Sequence, residues 1–409
     1  MKKVLFISFN YPKGNFGPST NCTLRIMKEL CSSGRYEVHC LSYTGDKNTY
    51  DLVPQVICHE IPLTPPDKKR HKFVEHLRLL FSVTTFPFNS LSEDRKHYKA
   101  CRDFLSYQQF DIVIGQYATE PCLKTAIELK KAGCINKLVI LFWDGIYGKL
   151  PRRFIPKSFA IRRQRKAEDE IAKYADVLVS LYPIKEFHDK FGDVPNAIGK
   201  RVYLGIPSII KPMIDRHSTY EYIIQKGKIN ILYSGTIYRA SHLTYIVSLL
   251  NKTQYAPKIN LVFFCKGVSK DVFEQLQPQF KGSIFYSSWI PVDELLALYT
   301  LVDFFVSFPG NPRSICSKVY EYMSYGKPVI LLSDSEDDVN VSTFSRYPAC
   351  ISIKQHGDLL DNCIIVEDFI THNLGRTIPY NETLDLFKSD SPGAYVELID
   401  RLLGINYDS

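Results

Sequence analysis

With 409 residues the chain is too long for one compact core, and two domains of about 200 residues each are expected. Its 45% hydrophobic and 23% charged residues exclude a disordered or collagen-like chain, and no apolar run approaches the ~18 residues of a membrane span. The net charge of +8 is uneven: residues 1–205 carry 33 Lys and Arg against 21 Asp and Glu, and the remainder 18 against 22, so the first half is the one suited to an anionic partner.

The start, MKKVLFISFNYP, has two lysines and a short apolar run but no small-residue cleavage site, so Val4–Phe9 reads as a strand and not a leader. A Gly/Pro loop follows through Gly14, Phe16, Gly17 and Pro18, then a helix over Thr20–Ser33 and a strand over Val38–Ser42. This β–loop–α–β opening is Rossmann-like, although GxGxxG is absent. The glycines fit plain turn chemistry or a close backbone approach to a substrate. Residues 60–100 are polar and basic with an aromatic patch at 81–88. Strands are expected at Asp111–Gly115 and Lys137–Phe142 around a helix over Pro121–Lys131. Asp144, just after a strand, suits acid–base or hydroxyl-binding work and equally a turn cap.

Residues 149–166 hold eight basic side chains interleaved with Leu150, Phe154, Ile155, Phe159 and Ile161. They fit a solvated basic face or a segment lying on anionic lipid. A helix continues through Ala167–Tyr174, followed by a strand at Val177–Ser180, a helix at Glu186–Phe191 and a strand at Arg201–Leu204. Residues 206–228 read as a linker. A second βα series then runs through strands at Ile229–Tyr233, Asn260–Cys265 and Ile284–Ser287, with Asp293 expected to cap a helix through Tyr299. The final helix is expected at Tyr395–Leu403. The 11 cysteines lack paired spacing and read as reduced packing residues of a cytoplasmic protein; no metal-ligand spacing occurs, so no metal is expected.

Asp303–Leu332, DFFVSFPGNPRSICSKVYEYMSYGKPVILL, is the densest stretch. Phe304–Phe308 reads as a buried strand, Pro309–Pro312 as a loop, Ser314–Ser324 as a helix with Gly326 beyond its end, and Val329–Leu332 as a second strand. Arg313, Ser314, Ser317, Lys318 and Glu321 gather at the helix N-terminus, where free N–H groups and the dipole favour an anion.

Taken in order, these segments resemble glycosyltransferases of the two-Rossmann-domain (GT-B) fold, most closely the retaining family 4 group of bacterial envelope-polysaccharide type. The residues that carry the likeness are Tyr11–Gly17, Ala175–Ser180, Val202–Gly205, Tyr233-Ser234-Gly235, and above all SKVYEYMSYGKPVI at 317–330. The resemblance implies an α/β protein with two Rossmann-like domains facing across a cleft. Residues 1–208 would bind a glycan or lipid-linked acceptor, residues 209–390 a nucleotide-diphosphate sugar, and a C-terminal helix in 391–409 would pack back onto the first domain. It implies transfer of the sugar with retention, in envelope polysaccharide or glycan biosynthesis, without cofactor or metal. The protein would be cytoplasmic and peripheral at the inner face of the membrane through 149–166.

The resemblance also implies site residues. Glu321 matches the second Glu of the family's Glu-x7-Glu motif and would hold the ribose. Backbone near Ser314, Cys316 and Ser317 would meet the diphosphate, with Lys318 adding charge. Lys266, Gly267, Trp289 and Ile290 would hold the base, Gly235 and Thr236 would lie by the phosphates, and Arg239 or His242 would supply phosphate contacts. Gly14, Phe16 and Gly17 would form the acceptor and donor loop. Asp144, Arg313 and Lys318 are the candidate catalytic residues. Arg313 stands where the motif's first Glu would be, and either meets a carboxylate or phosphate or faces solvent. Two alternatives remain: a sugar-nucleotide epimerase or inverting transferase on the same fold, and a non-catalytic basic protein binding lipid or nucleic acid. The leading reading involves no nucleic acid.

Overall fold

A computed structural model describes residues 1–7, 18–43, 53–61, 91–116, 120–143, 156–288, 290–310 and 314–405. The chain divides into two units, Met1–Pro207 with Pro392–Ser409, and Ser208–Ser391.

The first unit holds a parallel sheet of β1 (Lys2–Ile7), β2 (Tyr36–Tyr43), β3 (Ile57–Ile61), β4 (Ile112–Gln116), β5 (Leu138–Phe142), β6 (Val177–Leu181) and β7 (Arg201–Leu204). Their order is β3-β2-β1-β4-β5-β6-β7. The connecting helices are α1 (Pro18–Ser32), α2 (Leu91–Leu105), α3 (Glu120–Lys131), α4 (Lys157–Tyr174) and α5 (Tyr182–Phe191). Both sheet faces are covered: Val4 and Phe6 enter one hydrophobic cluster, and Leu5 and Ile7 the other. This is why these strands read as unbroken apolar runs and not as alternating patterns.

The second unit repeats the plan with β8 (Ile229–Thr236), β9 (Ile259–Lys266), β10 (Ser283–Ser287), β11 (Phe304–Ser307), β12 (Val329–Ser333) and β13 (Cys350–Lys354), in the order β10-β9-β8-β11-β12-β13. Its helices are α6 (Ala240–Lys252), α7 (Lys270–Leu276), α8 (Val292–Leu298), α9 (Ser317–Ser324), α10 (Val339–Phe344), α11 (Leu359–Asn373) and α12 (Tyr380–Leu386). The last helix, α13 (Pro392–Leu403), belongs to the first unit. There Tyr395 and Ile399 join the core, the Tyr395 hydroxyl donates to the Gly205 carbonyl at 2.7 Å, and buried Asp400 accepts from Arg35 at 2.9 Å and from the Tyr36 hydroxyl.

One local device sets strand register in both units. An aspartate immediately before a strand accepts a backbone N–H from the neighbouring strand. Asp111 takes that of Lys3 at 2.8 Å, Asp176 that of Leu138 at 2.7 Å, and Asp303 that of Asn230 at 2.8 Å. Each satisfies a donor at the sheet's end, and a charge-assisted bond to an N–H is stronger than a neutral one.

Several expectations change. Residues 208–228 are not a free linker. The N–H groups of Ser208 and Ile209 donate to the Asp390 carbonyl at 2.8 and 2.9 Å, that of Ile210 to Ser324 at 3.1 Å, and Glu294 accepts from Ser218 and Thr219. Asp293 does not cap α8; Pro291 precedes the helix, and Asp293 pairs with Arg216 at 2.8 Å from within its first turn. The helix expected from Ser314 begins at Ser317, because the backbone at Cys316 is extended, at φ −80° and ψ 103°, and its N–H is held by the Asn340 side chain. Among the described residues no helix is long and apolar enough to cross a membrane.

Candidate functional site

In a doubly wound sheet a ligand binds at the carboxyl ends of the strands where the connections turn from one side to the other. In the second unit that point lies between β8 and β11, since β8 leads outward to β9 and β11 outward to β12. The strand ends and the helices after them supply the candidate site.

From β8 come Gly235, Thr236, Tyr238 and Arg239. The Tyr233 hydroxyl folds back to donate to the Thr236 carbonyl at 2.9 Å, and its ring stands edge-on to Phe308 at 4.6 Å. Tyr238 is exposed, and its ring edge lies 3.7 Å from where a Cβ on Gly310 would be, so a bare backbone follows β11 beside an open aromatic face. From β9 come Lys266 and Gly267. The Lys266 carbonyl accepts from the Ile237 N–H at 2.9 Å. Gly267 has φ +93°, and a Cβ there would stand 2.3 Å from the Ile237 carbonyl oxygen, so this crossing of the β8 and β9 ends admits only glycine.

Helix α9 forms the other wall. Glu321 is 2% exposed, and its carboxylate accepts from Lys318 at 2.8 Å. Lys318, expected to add charge at the phosphates, is paired here with Glu321. The Cys316 N–H donates to the Asn340 side chain at 2.7 Å, and Asn340 in turn donates to the Ser314 carbonyl and to Asp338. The Cys316 N–H, expected to meet the diphosphate, is thus already occupied, and Ser317 is the first residue of the helix left to that part. Burial pushes the Cys316 thiol up, so it sits at the helix start as a neutral group, 3.9 Å from the Ser307 hydroxyl.

Two further groups frame the site. Ile290 is buried, so it can offer a base its backbone and not its side chain. Arg239 does not point free: its guanidinium lies 3.3 Å from Asp334, which follows β12, and the same carboxylate lies 3.3 Å from His242. Asp334, Asp338 and Asn340 were not singled out from sequence; the acidic run Asp334–Asp338 was their only mark and reads as a solvated loop. Gly14, Phe16, Gly17, Asp144, Trp289 and Arg313 lie outside the described residues, as does the first part of 149–166.

The first unit holds a second polar cluster. Glu168, His188 and Asp193 have metal-like spacing, but Arg201 fills their centre. Its guanidinium donates to Asp193 at 2.7 and 2.8 Å, to Glu168 at 2.7 Å and to Ser180 at 2.7 Å. Burial acts to raise the Asp193 carboxyl, yet the Arg201 bonds hold it below the ordinary carboxylate range. The guanidinium already supplies these carboxylates with the positive charge that a cation would bring.

Two doubly wound parallel-sheet units in one chain define the GT-B fold. Solved structures of known proteins match this chain over almost its whole length. They include sucrose-phosphate synthase from Thermosynechococcus elongatus, at 13% identity and TM-score 0.61, covering 99% of this chain and 100% of that one. HepE from Anabaena, solved with UDP and glucose, matches at 13% identity and TM-score 0.60, covering 99% and 100%. A UDP-N-acetylglucosamine 2-epimerase matches at 11% identity and TM-score 0.58, covering 99% and 97%. At such identities the likeness is one of fold. No family model and no curated protein matches the chain.

Proposed function

We propose that the protein is a glycosyltransferase that takes a sugar from a nucleoside-diphosphate sugar. The observation that carries this reading is the buried carboxylate of Glu321 in the helix that follows β11 at the switch point of a GT-B fold. A carboxylate there accepts the two ribose hydroxyls. The helix start at Ser317 and the Arg239 guanidinium face the diphosphate, whose charge grows as the glycosidic bond breaks; donors aimed at that charge lower the barrier. Lys318 exchanges Glu321 for phosphate once the ribose has replaced it. We assign no metal to the reaction, and retention of configuration follows the family likeness.

The acceptor is a glycan or lipid-linked intermediate bound by the first unit. Helix α4 exposes Lys157 at its start and, along one side, Phe159, Arg162 and Lys166, a basic face with an aromatic residue that suits anionic lipid.

The test is a thermal-shift screen against UDP, GDP, ADP, TDP and CMP, followed by sugar esters of the best binder. One nucleotide is expected to stabilise the protein, and its sugar ester to be consumed only when acceptor is present. The epimerase match favours a second reading, in which the sugar nucleotide is converted with no acceptor. Product analysis without acceptor separates the two.

A further inference from the structure

The pair His242 and Asp334 has no role in the reading above, yet it is the least satisfied polar group in the second unit's site. His242 is 2% exposed, and its Nδ1 has no hydrogen-bond partner. Its Nε2 lies 3.3 Å from Asp334 Oδ2 without the geometry of a hydrogen bond, and Asp334 Oδ1 is buried and likewise without a partner. Buried polar atoms are almost always bonded, so three orphans on two touching side chains call for an explanation.

Resting on the proposed donor site, we infer that His242 and Asp334 form the subsite that reads hydroxyl groups of the transferred sugar. The chemistry of the pair decides the ligand class. A carboxylate beside Nε2 favours the tautomer with the proton on Nε2, which leaves Nδ1 as an acceptor. Burial lowers the His242 pKa against the pull of Asp334, which keeps the ring neutral. Nδ1 and Oδ1 are then two acceptors awaiting donors. A sugar hydroxyl supplies one; a phosphate oxygen supplies none. His242 therefore repels the diphosphate and accepts the sugar.

Arg239 separates the two roles. It is 67% exposed at its side chain and rests 3.3 Å from Asp334 Oδ2. Turning toward the diphosphate, it frees Asp334 Oδ2 as a further acceptor beside Oδ1. One residue thus couples filling of the phosphate site to opening of the sugar site.

The test compares the bare nucleoside diphosphate with its sugar ester on the full-length protein, using whichever of UDP, GDP, ADP and TDP stabilises it and the glucose or N-acetylglucosamine ester of that nucleotide. Asp334→Asn and His242→Gln keep size and polarity, and far-ultraviolet dichroism and thermal melting check that each folds. In both variants affinity for the sugar ester relative to the bare diphosphate is expected to fall about tenfold or more, an interaction of about 1.4 kcal/mol; in His242→Gln affinity for the bare diphosphate stays within twofold, and in Asp334→Asn, which releases Arg239, it does not fall. Equal losses for both ligands would overturn the subsite by making the pair a phosphate or folding element. No loss for either would overturn it by leaving the pair a buried, water-satisfied contact. If no nucleotide stabilises the unaltered protein, the donor-site reading falls and the subsite with it.

Discussion

Glu321 offers a clean test at the scale of one residue, because glutamine keeps its shape and removes its charge. A carboxylate accepts hydroxyl donors about twice as strongly as a neutral group does. Glu321→Gln is therefore expected to weaken nucleoside-diphosphate binding about tenfold, or about 1.4 kcal/mol, by titration calorimetry. An unchanged dissociation constant would remove Glu321 from the site. Arg201 carries a different kind of dependence. Asp193, held below its ordinary pKa, stabilises the fold above about pH 4, and that contribution is lost as pH falls through its folded-state value. Arg201→Gln leaves Glu168, 2% exposed, as a buried carboxylate without its guanidinium, a loss of about 3–5 kcal/mol at pH 7. Urea unfolding at pH 7 measures it. A variant no less stable at pH 7 would mean that the cluster contributes nothing.

At the scale of elements, the segment from β11 to β12 shows how much the sequence makes legible. The Phe304–Ser307 and Val329–Ser333 strands were readable because both faces of a parallel sheet are buried, which leaves unbroken apolar runs. The end of α9 was readable because Gly326 takes φ +72°, and a Cβ there would stand 2.2 Å from the Ile378 carbonyl oxygen. Gly326→Ala is accordingly expected to cost about 2 kcal/mol or more, about 4–8 °C in melting temperature; a shift below about 1 °C would show that the backbone gives way freely. The start of α9 is not legible in the sequence because the side chain that holds the preceding loop is that of Asn340, 24 residues on from Cys316. Edge strands β3 and β13 were not foreseen: their burial patterns, eiieB and iieBe, are those of half-exposed edges, and their sequences lack a buried strand's apolar density. Helix α11 escaped notice for a related reason, since Leu360, Ile364 and Ile365 are exposed and blur its apolar stripe. The Glu321 position is legible because a motif marks it. The contacts of Asp334 are not, because tertiary structure makes them: it reaches His242 and Arg239 across more than 90 residues of chain.

At the scale of the whole molecule, each half of the proposal has its own readout. A nucleoside diphosphate at 100 times its dissociation constant is expected to stabilise Ser208–Ser391 by about 2.7 kcal/mol, seen in calorimetry as an upward shift of that unit's transition. A shift confined to the first unit would move the donor site there. The basic face of α4 is expected to bring the protein down with phosphatidylglycerol vesicles at low salt. The pair Arg162→Glu and Lys166→Glu is expected to abolish that binding without lowering the melting temperature, since both side chains are exposed. Binding unaffected by the charge reversal would make α4 an ordinary solvated helix.

The first unit is closed by the last helix of the chain, and this sets an order on its birth. Everything from Ser208 to Ser391 emerges between the sheet of the first unit and the α13 helix that covers it. At ~5–20 residues per second the ribosome takes roughly ten to forty seconds over that stretch. Meanwhile the cavity that Tyr395 and Ile399 will fill stands open, and Arg35 waits for Asp400. The second unit, contiguous in sequence, can finish folding first, although it is made later. A chain stalled before Pro392 is therefore expected to carry a protease-resistant C-terminal unit behind a protease-sensitive N-terminal one, the reverse of the order of synthesis.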